Sequence, residues 1–158
     1  MTTTERADVA VIGAGPSGVF AALRAGRLGA RTTLVTRDAV GGMAAADGPV
    51  PVRALAQAAR LRREARHLHR YGIEMGDTTL DYSRLLARVR EVVADVAEHS
   101  VPRTELEDVG VVLHEHVGTV RFVDPHTVEA DQGVRLAADK FILCAGGTNR
   151  ALPVPGAE

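Results

Sequence analysis

One cysteine, Cys144, stands among 158 residues, so the chain has no internal disulfide framework, and that scarcity fits a reducing compartment. Charge is nearly balanced, at a formal net of -1, which gives no reason to expect nucleic acid or an anionic membrane as the main partner. Aromatic residues make up 3% of the chain, and the arginine-rich stretch is not interleaved with stacking side chains, which again argues against nucleic acid. No apolar run is long enough to span a bilayer, and Met1 to Arg6 lacks the basic-then-apolar order of a signal peptide. What remains is a soluble, cytoplasmic chain whose length suits one domain, residues 1–158.

Glycine, by contrast, is abundant, and its most informative placement is Asp8-Val9-Ala10-Val11-Ile12-Gly13-Ala14-Gly15-Pro16-Ser17-Gly18. This reads as a buried strand, a tight turn and a helix start. The glycines stand at G-x-G-x-x-G spacing: Gly13 for the turn, Gly15 for close approach of a pyrophosphate, Gly18 for helix-on-strand packing. The free N–H groups and dipole of the following helix favour a diphosphate beside Pro16 and Ser17. The pattern predicts a dinucleotide-binding turn.

Around this turn, residues 1–7 read as a polar arm, and a helix from about Ser17 to Leu28 turns Val19, Phe20, Ala22, Leu23 and Gly26 toward a sheet. Arg31 to Thr36 reads as a second, parallel strand. A dinucleotide fold usually carries an acid at the tip of that strand for the ribose hydroxyls. Here it is Thr36, which can hydrogen-bond but brings no charge, so ribose binding is expected to be weaker. Arg37 is placed either to meet a phosphate or to stand solvated.

Arg53 to Tyr71 is helical and basic, Gly72 to Thr79 reads as a turn, and Asp81 caps a helix with Tyr82, Leu85, Leu86, Val89, Val93 and Val96 at 3–4 residue spacing. Pro102 interrupts it, and Thr104 to Val109 adds one turn. Val111 to Val123 reads as one strand with a bulge at Gly118. Asp124-Pro125-His126 and Asp131-Gln132-Gly133 turn the chain into an antiparallel meander. His114 and His116, two apart on that strand, read as exposed strand histidines rather than a metal pair, since no third ligand is placed with them.

Three segments then carry a resemblance. Gly41-Gly42-Met43-Ala44-Ala45-Ala46-Asp47-Gly48-Pro49-Val50-Pro51-Val52-Arg53 resembles the G-G-T-C-x-N-x-G-C-x-P-S-K segment of the pyridine nucleotide–disulfide oxidoreductases. Val117 to Ala130 is similar to the family's V-G-x-A-x-F-x-D-P-H-T-V-E-V element. Asp139 to Gly156 looks like its A-T-G-S-x-P-x-x-P-x-I-P-G signature, with Gly146 in place of the threonine and Ala151-Leu152 keeping the proline pattern only in part. Cys144, inside that last strand, reads as a buried filler.

The resemblance implies an α/β, Rossmann-like FAD-binding domain with a parallel sheet, flanking helices and a small antiparallel meander. It puts the pyrophosphate at Gly13, Gly15 and Gly18, the ribose at Thr36, the flavin side at Gly41, Gly42 and Met43, and adenine contacts at the backbone of Gly118, Thr119 and Val120. The small residues Ala145, Gly146 and Gly147 let the backbone lie close to the dinucleotide. Arg53 replaces the family's lysine and brings a fixed positive charge toward the flavin ring. The two redox cysteines fall on Ala44 and Pro49, neither of which can form a thiolate, so disulfide reduction by the family's mechanism is excluded.

Only the first part of the family's architecture is present. No second G-x-G-x-x-G marks a site for NADH or NADPH, which a partner or a missing domain would have to bind. The reading is therefore an FAD-binding portion or subunit of a flavin-dependent oxidoreductase that uses no redox disulfide. The alternative is a non-catalytic, degenerate dinucleotide-binding or scaffold subunit, and an NADP-binding domain using Arg37 stands third. A partner polypeptide completing the fold, or self-association, is expected to cover the apolar stripes.

Overall fold

The computed structural model describes residues 4–46, 48–99, 103–148, 150 and 153–156. In chain order it comprises β1 (Thr4–Ile12), α1 (Pro16–Arg27), β2 (Thr32–Val35), α2 (Gly42–Ala46) and α3 (Pro49–Ala65). A single 3-10 turn (Leu68–Tyr71) precedes α4 (Tyr82–His99) and α5 (Arg103–Asp108), and β3 (Val112–His114), β4 (Val120–Asp124), β5 (Thr127–Ala130) and β6 (Arg135–Leu143) follow. The strands form one sheet in the order β3-β2-β1-β6-β5-β4. Its β3-β2-β1-β6 half is parallel and the β6-β5-β4 half antiparallel, the α/β class with a meander that the sequence implies.

The helix after the glycine turn starts at Pro16, whose fixed φ suits a first helical position. It buries Gly18, Val19, Ala22 and Leu23 against Val11, Leu34, Leu106 and Val111. A Cβ on Gly26 would come within 2.8 Å of Val109, so the missing side chain lets α1 seat against the segment after α5. Phe20 was expected on this face and is not: it is 74% exposed, because the next position after Val19 is turned about a quarter of a circuit away. The sheet's other face is closed by Val117, Val128, Ala130 and Leu136 over Ala7, Ala10 and Val35. Each fully buried leucine, Leu34, Leu106 and Leu136, contributes roughly 1.5–3 kcal/mol by leaving water.

Three further expectations are corrected. Residues 4–7 are strand rather than polar arm, because Thr4 to Ala7 pair with Arg135 to Ala138 of β6. Val111 to Val123 is not one strand. Its halves are β3 and β4, at opposite edges of the sheet, separated at His116 (φ 55°) and Gly118 (φ 76°). The basic helix begins at Pro49 rather than Arg53 and ends at Ala65, with the 3-10 turn closed by Gly72 in a left-handed conformation. From the turn at Gly72 to Asp81 the chain has no regular secondary structure. Asp81 does cap α4, accepting the Arg84 N–H at 2.9 Å. Residues 1–3, Asp47, the interruption expected at Pro102 and the Ala151-Leu152 departure lie outside the described residues.

Candidate dinucleotide-binding site

The parallel strands β1, β2 and β6 end side by side, and the loops leaving them carry most of the expected site residues. Gly13 follows β1 at φ 103°, a region costly for any side chain, and donates its N–H to Val35 O at 2.7 Å. A Cβ here would sit 2.2 Å from Cys144 O, and one on Gly18 would sit 1.7 Å from Gly13 O. The loop is therefore pressed between the end of β6 and the first turn of α1. Gly15 is the opposite case: a Cβ built on it meets nothing within 4 Å. It is the N-cap of α1, whose start carries no side-chain cap and no acidic residue in its first turn, with Pro16 and Ser17 exposed beside it. An uncapped helix start facing open space beside a glycine is the donor set a diphosphate requires. The residues present fit the group the sequence implies.

The Gly41-Gly42 turn is joined to this loop directly. Gly41 N–H donates to Ala14 O at 2.9 Å, and a Cβ on Gly42 would come within 3.0 Å of the Gly15 Cα. Met43 follows, partly exposed on α2. Ala44 is on that same helix and Pro49 opens α3, so the two positions of the lost cysteines flank the break between them. Arg53 stands exposed on α3 and makes no hydrogen bond or ion pair among the described residues.

The end of β2 meets the crossing segment after β3. Thr36 is only 8% exposed. Its N–H donates to His114 O at 2.9 Å and its carbonyl accepts the Val117 N–H at 3.2 Å. Arg37 ion-pairs with the neighbouring Asp38 at 2.8 Å, while its carbonyl accepts the Gly118 N–H at 3.2 Å. Gly118 and Thr119 thus come beside Thr36 and Arg37, held by Asp131, whose Oδ2 accepts the Thr119 N–H at 2.8 Å. Val120 turns partly into the core under the meander, so only its backbone is offered. On the β6 side, Cys144 N–H donates to Ile12 O at 2.7 Å, Ala145 borders Gly13, and Gly146 and Gly147 are exposed. Cys144 is half-buried and packs against the α1 cluster, a filler as expected though not a fully buried one.

Several residues that hold this end together carry no signal in the sequence. Glu115 accepts two hydrogen bonds from Arg103, at 2.5 and 3.0 Å, and one from the Val40 N–H at 3.0 Å. The Arg103 guanidinium, aided by the Val40 N–H, holds the Glu115 carboxyl below its ordinary value, against the opposing effect of partial burial. Glu5 accepts the Thr33 hydroxyl at 2.7 Å and lies 2.7 Å from Nε2 of His114, tying β1, β2 and β3 together. That contact occupies His114, and β3 ends there, so His114 and His116 do not share one strand face as expected. No group of three or more metal-ligating side chains occurs among the described residues. Nor is any described helix long and apolar enough to cross a membrane.

Comparison with known proteins gives the family. The sequence profile described as pyridine nucleotide-disulphide oxidoreductase matches residues 7–158. The chain belongs to this family. It is similar to a dihydrolipoyl dehydrogenase of Zymomonas mobilis, 31% identical over 92% of this chain and 31% of that one. A second dihydrolipoyl dehydrogenase, from Haloarcula marismortui, is 33% identical over 98% of this chain and 33% of its own length. A glutathione reductase of Nostoc is 29% identical over 96% of this chain and 32% of its own. The chain thus spans about a third of the length of the curated relatives it matches. Among solved structures, the HOCl-induced flavoprotein disulfide reductase RclA of Escherichia coli superposes with a TM-score of 0.72 at 20% identity, covering 94% of this chain and 30% of that one, a likeness of fold. Members of the family are FAD-dependent oxidoreductases; this member carries a single cysteine.

Proposed function

We propose that the chain is the FAD-binding portion of a flavin-dependent oxidoreductase that works without a redox-active disulfide. The observation that carries the proposal is the contrast among three glycines. Gly13 and Gly18 have no room for a Cβ, whereas Gly15 faces open space at the uncapped start of α1. In this reading the first-turn N–H groups of α1 neutralise the pyrophosphate, and the Gly13, Gly15 and Gly18 backbone keeps water and side chains out of its way. The Thr36 hydroxyl is the ribose partner, the Gly118 to Val120 backbone borders the adenine, and Arg37 serves the same end as a surface cation. Gly41, Gly42 and Met43 border the flavin side, with Ala145 to Gly147 across from them. Arg53 contributes a fixed charge that favours a negatively charged ring. FAD, when bound, supplies the redox chemistry.

With no thiolate at Ala44 or Pro49, electrons have no dithiol to enter. They pass instead between a nicotinamide nucleotide, bound by a partner or further domain, and a non-disulfide acceptor such as a quinone, a metal ion, oxygen or another cofactor. A partner polypeptide, or a second copy, completes the fold in this proposal. The test is equilibrium dialysis of the purified full chain against FAD, with NADPH as the control dinucleotide. Saturable uptake of FAD in preference to NADPH is the expected result, and uptake of neither overturns it. One observation favours a second reading. Thr36 is nearly buried where a charged acceptor would strengthen ribose binding, which suits a scaffold subunit that holds its nucleotide weakly.

A further inference from the structure

Away from the glycine loops, α3 and the start of α4 border a shallow groove of about 280 Å³, just below the range drug-sized ligand sites occupy. Its apolar lining is Leu55, Ala58 and Ala59 from α3, with Leu80 and Leu85 opposite. Beyond that lining the same helix turns basic. Arg62, Arg63 and Arg66 complete the wall, at the positions one further turn places over the apolar ones. The groove wall therefore combines apolar side chains with three cations.

The cations have no internal use. Among the described residues α3's ion pairing is Arg60 with Glu64 at 2.7 Å, and Arg62, Arg63 and Arg66 have no acidic partner. The carboxylate nearest in sequence to the opposite wall, Asp81, is engaged in capping α4. Three like charges on adjacent turns repel one another, a cost that an anionic occupant removes. Leu55 and Leu80 remain 37% and 48% exposed, so an apolar body laid on them also leaves water.

We propose that this groove is a binding site for a small amphipathic carboxylate, its apolar chain on Leu55, Ala58, Leu80 and Leu85 and its carboxylate held by Arg62, Arg63 and Arg66. Guanidinium groups are suited to this head, since two parallel N–H donors match the two carboxylate oxygens. The enclosed volume is that of a short chain, not of a helix lying along the full length of α3.

The experiment is isothermal titration calorimetry of the full chain with monomeric decanoate, alongside butyrate and decyltrimethylammonium. Saturable one-to-one binding of decanoate is expected, with butyrate weaker for want of apolar contact and the cation excluded. Arg62→Ala with Arg66→Ala should weaken decanoate about tenfold or more, the loss of charge-assisted hydrogen bonds. Both arginines are exposed, so unchanged circular dichroism is expected, and Leu80→Asp provides a second variant that removes the apolar wall. Failure of decanoate to saturate, equal binding of the cation, or full affinity in the double variant would overturn the proposal. So would binding to anionic phospholipid vesicles, or to an acidic amphipathic peptide, without one-to-one binding of free decanoate.

Discussion

The glycine-loop end of the sheet and the α3–α4 pair are built on opposite terms. At the loops, backbone lies on backbone: Gly13 against Cys144, Gly18 against Gly13, Gly42 against Gly15, with Glu115 and Asp131 pinning the crossing segment. In α3 no residue is buried, and its surface carries Leu61 at 55% exposure and Arg62, Arg63 and Arg66, which have no acidic partner among the described residues. The first region has little freedom to change sequence because its contacts are made by atoms every residue has. The second tolerates change within the described chain, because no α3 residue is buried. Tight backbone packing at one end and exposed, unpartnered side chains at the other are the contrast on which the proposed partner rests.

That contrast can be broken most forcefully at Gly18. Gly18→Ala puts a methyl group 1.7 Å from the Gly13 carbonyl, and urea denaturation should show a loss of about 4 kcal/mol or more. Next comes Leu106→Ala beneath α1, at about 2–5 kcal/mol, set against Leu61→Ala on α3, which should stay within about 0.5 kcal/mol. Equal losses at Leu106 and Leu61 would erase the distinction between the regions.

How far the sequence foretold this depends on where each contact comes from. The glycine turn, α1 and the turns of the meander are local, and spacing and turn residues locate them. The Thr4–Ala7 extension of β1 depends on pairing with β6 more than a hundred residues later, so its polar composition reads as an arm. The split of Val111 to Val123 turns on His116 at φ 55°, a conformation uncommon outside glycine that histidine takes more readily than most residues but that spacing gives no way to foresee. Arg103 and Glu115 look like surface charges until the fold brings them together. At the candidate site the glycines were legible because their job is to lack a side chain. Thr36 was legible only by position, since its near burial follows from the crossing segment laid over it.

A smaller effect is expected at that crossing. Glu115→Gln removes the charge facing Arg103 and should cost about 1 kcal/mol near neutral pH, read by thermal or urea unfolding. Because the folded-state pKa of Glu115 is lowered, its contribution is present above the ordinary carboxylate pKa and is lost as pH falls through the folded value. The difference between the native chain and Glu115→Gln should therefore shrink on acidification. A gap that persists or widens in acid would assign the effect to something other than this pair.

The most direct measurement uses the glycine that has room. Gly15→Ala meets no atom within 4 Å and keeps an ordinary φ of -71°, so its stability should stay within about 1 kcal/mol of the native chain. Flavin fluorescence titration of the two proteins then isolates the cradle from the fold. The account predicts saturable FAD binding by the native chain and at least about tenfold weaker binding by Gly15→Ala, since the methyl occupies the space left for the pyrophosphate. Equal FAD affinity in the two folded proteins, or none in either, would contradict it.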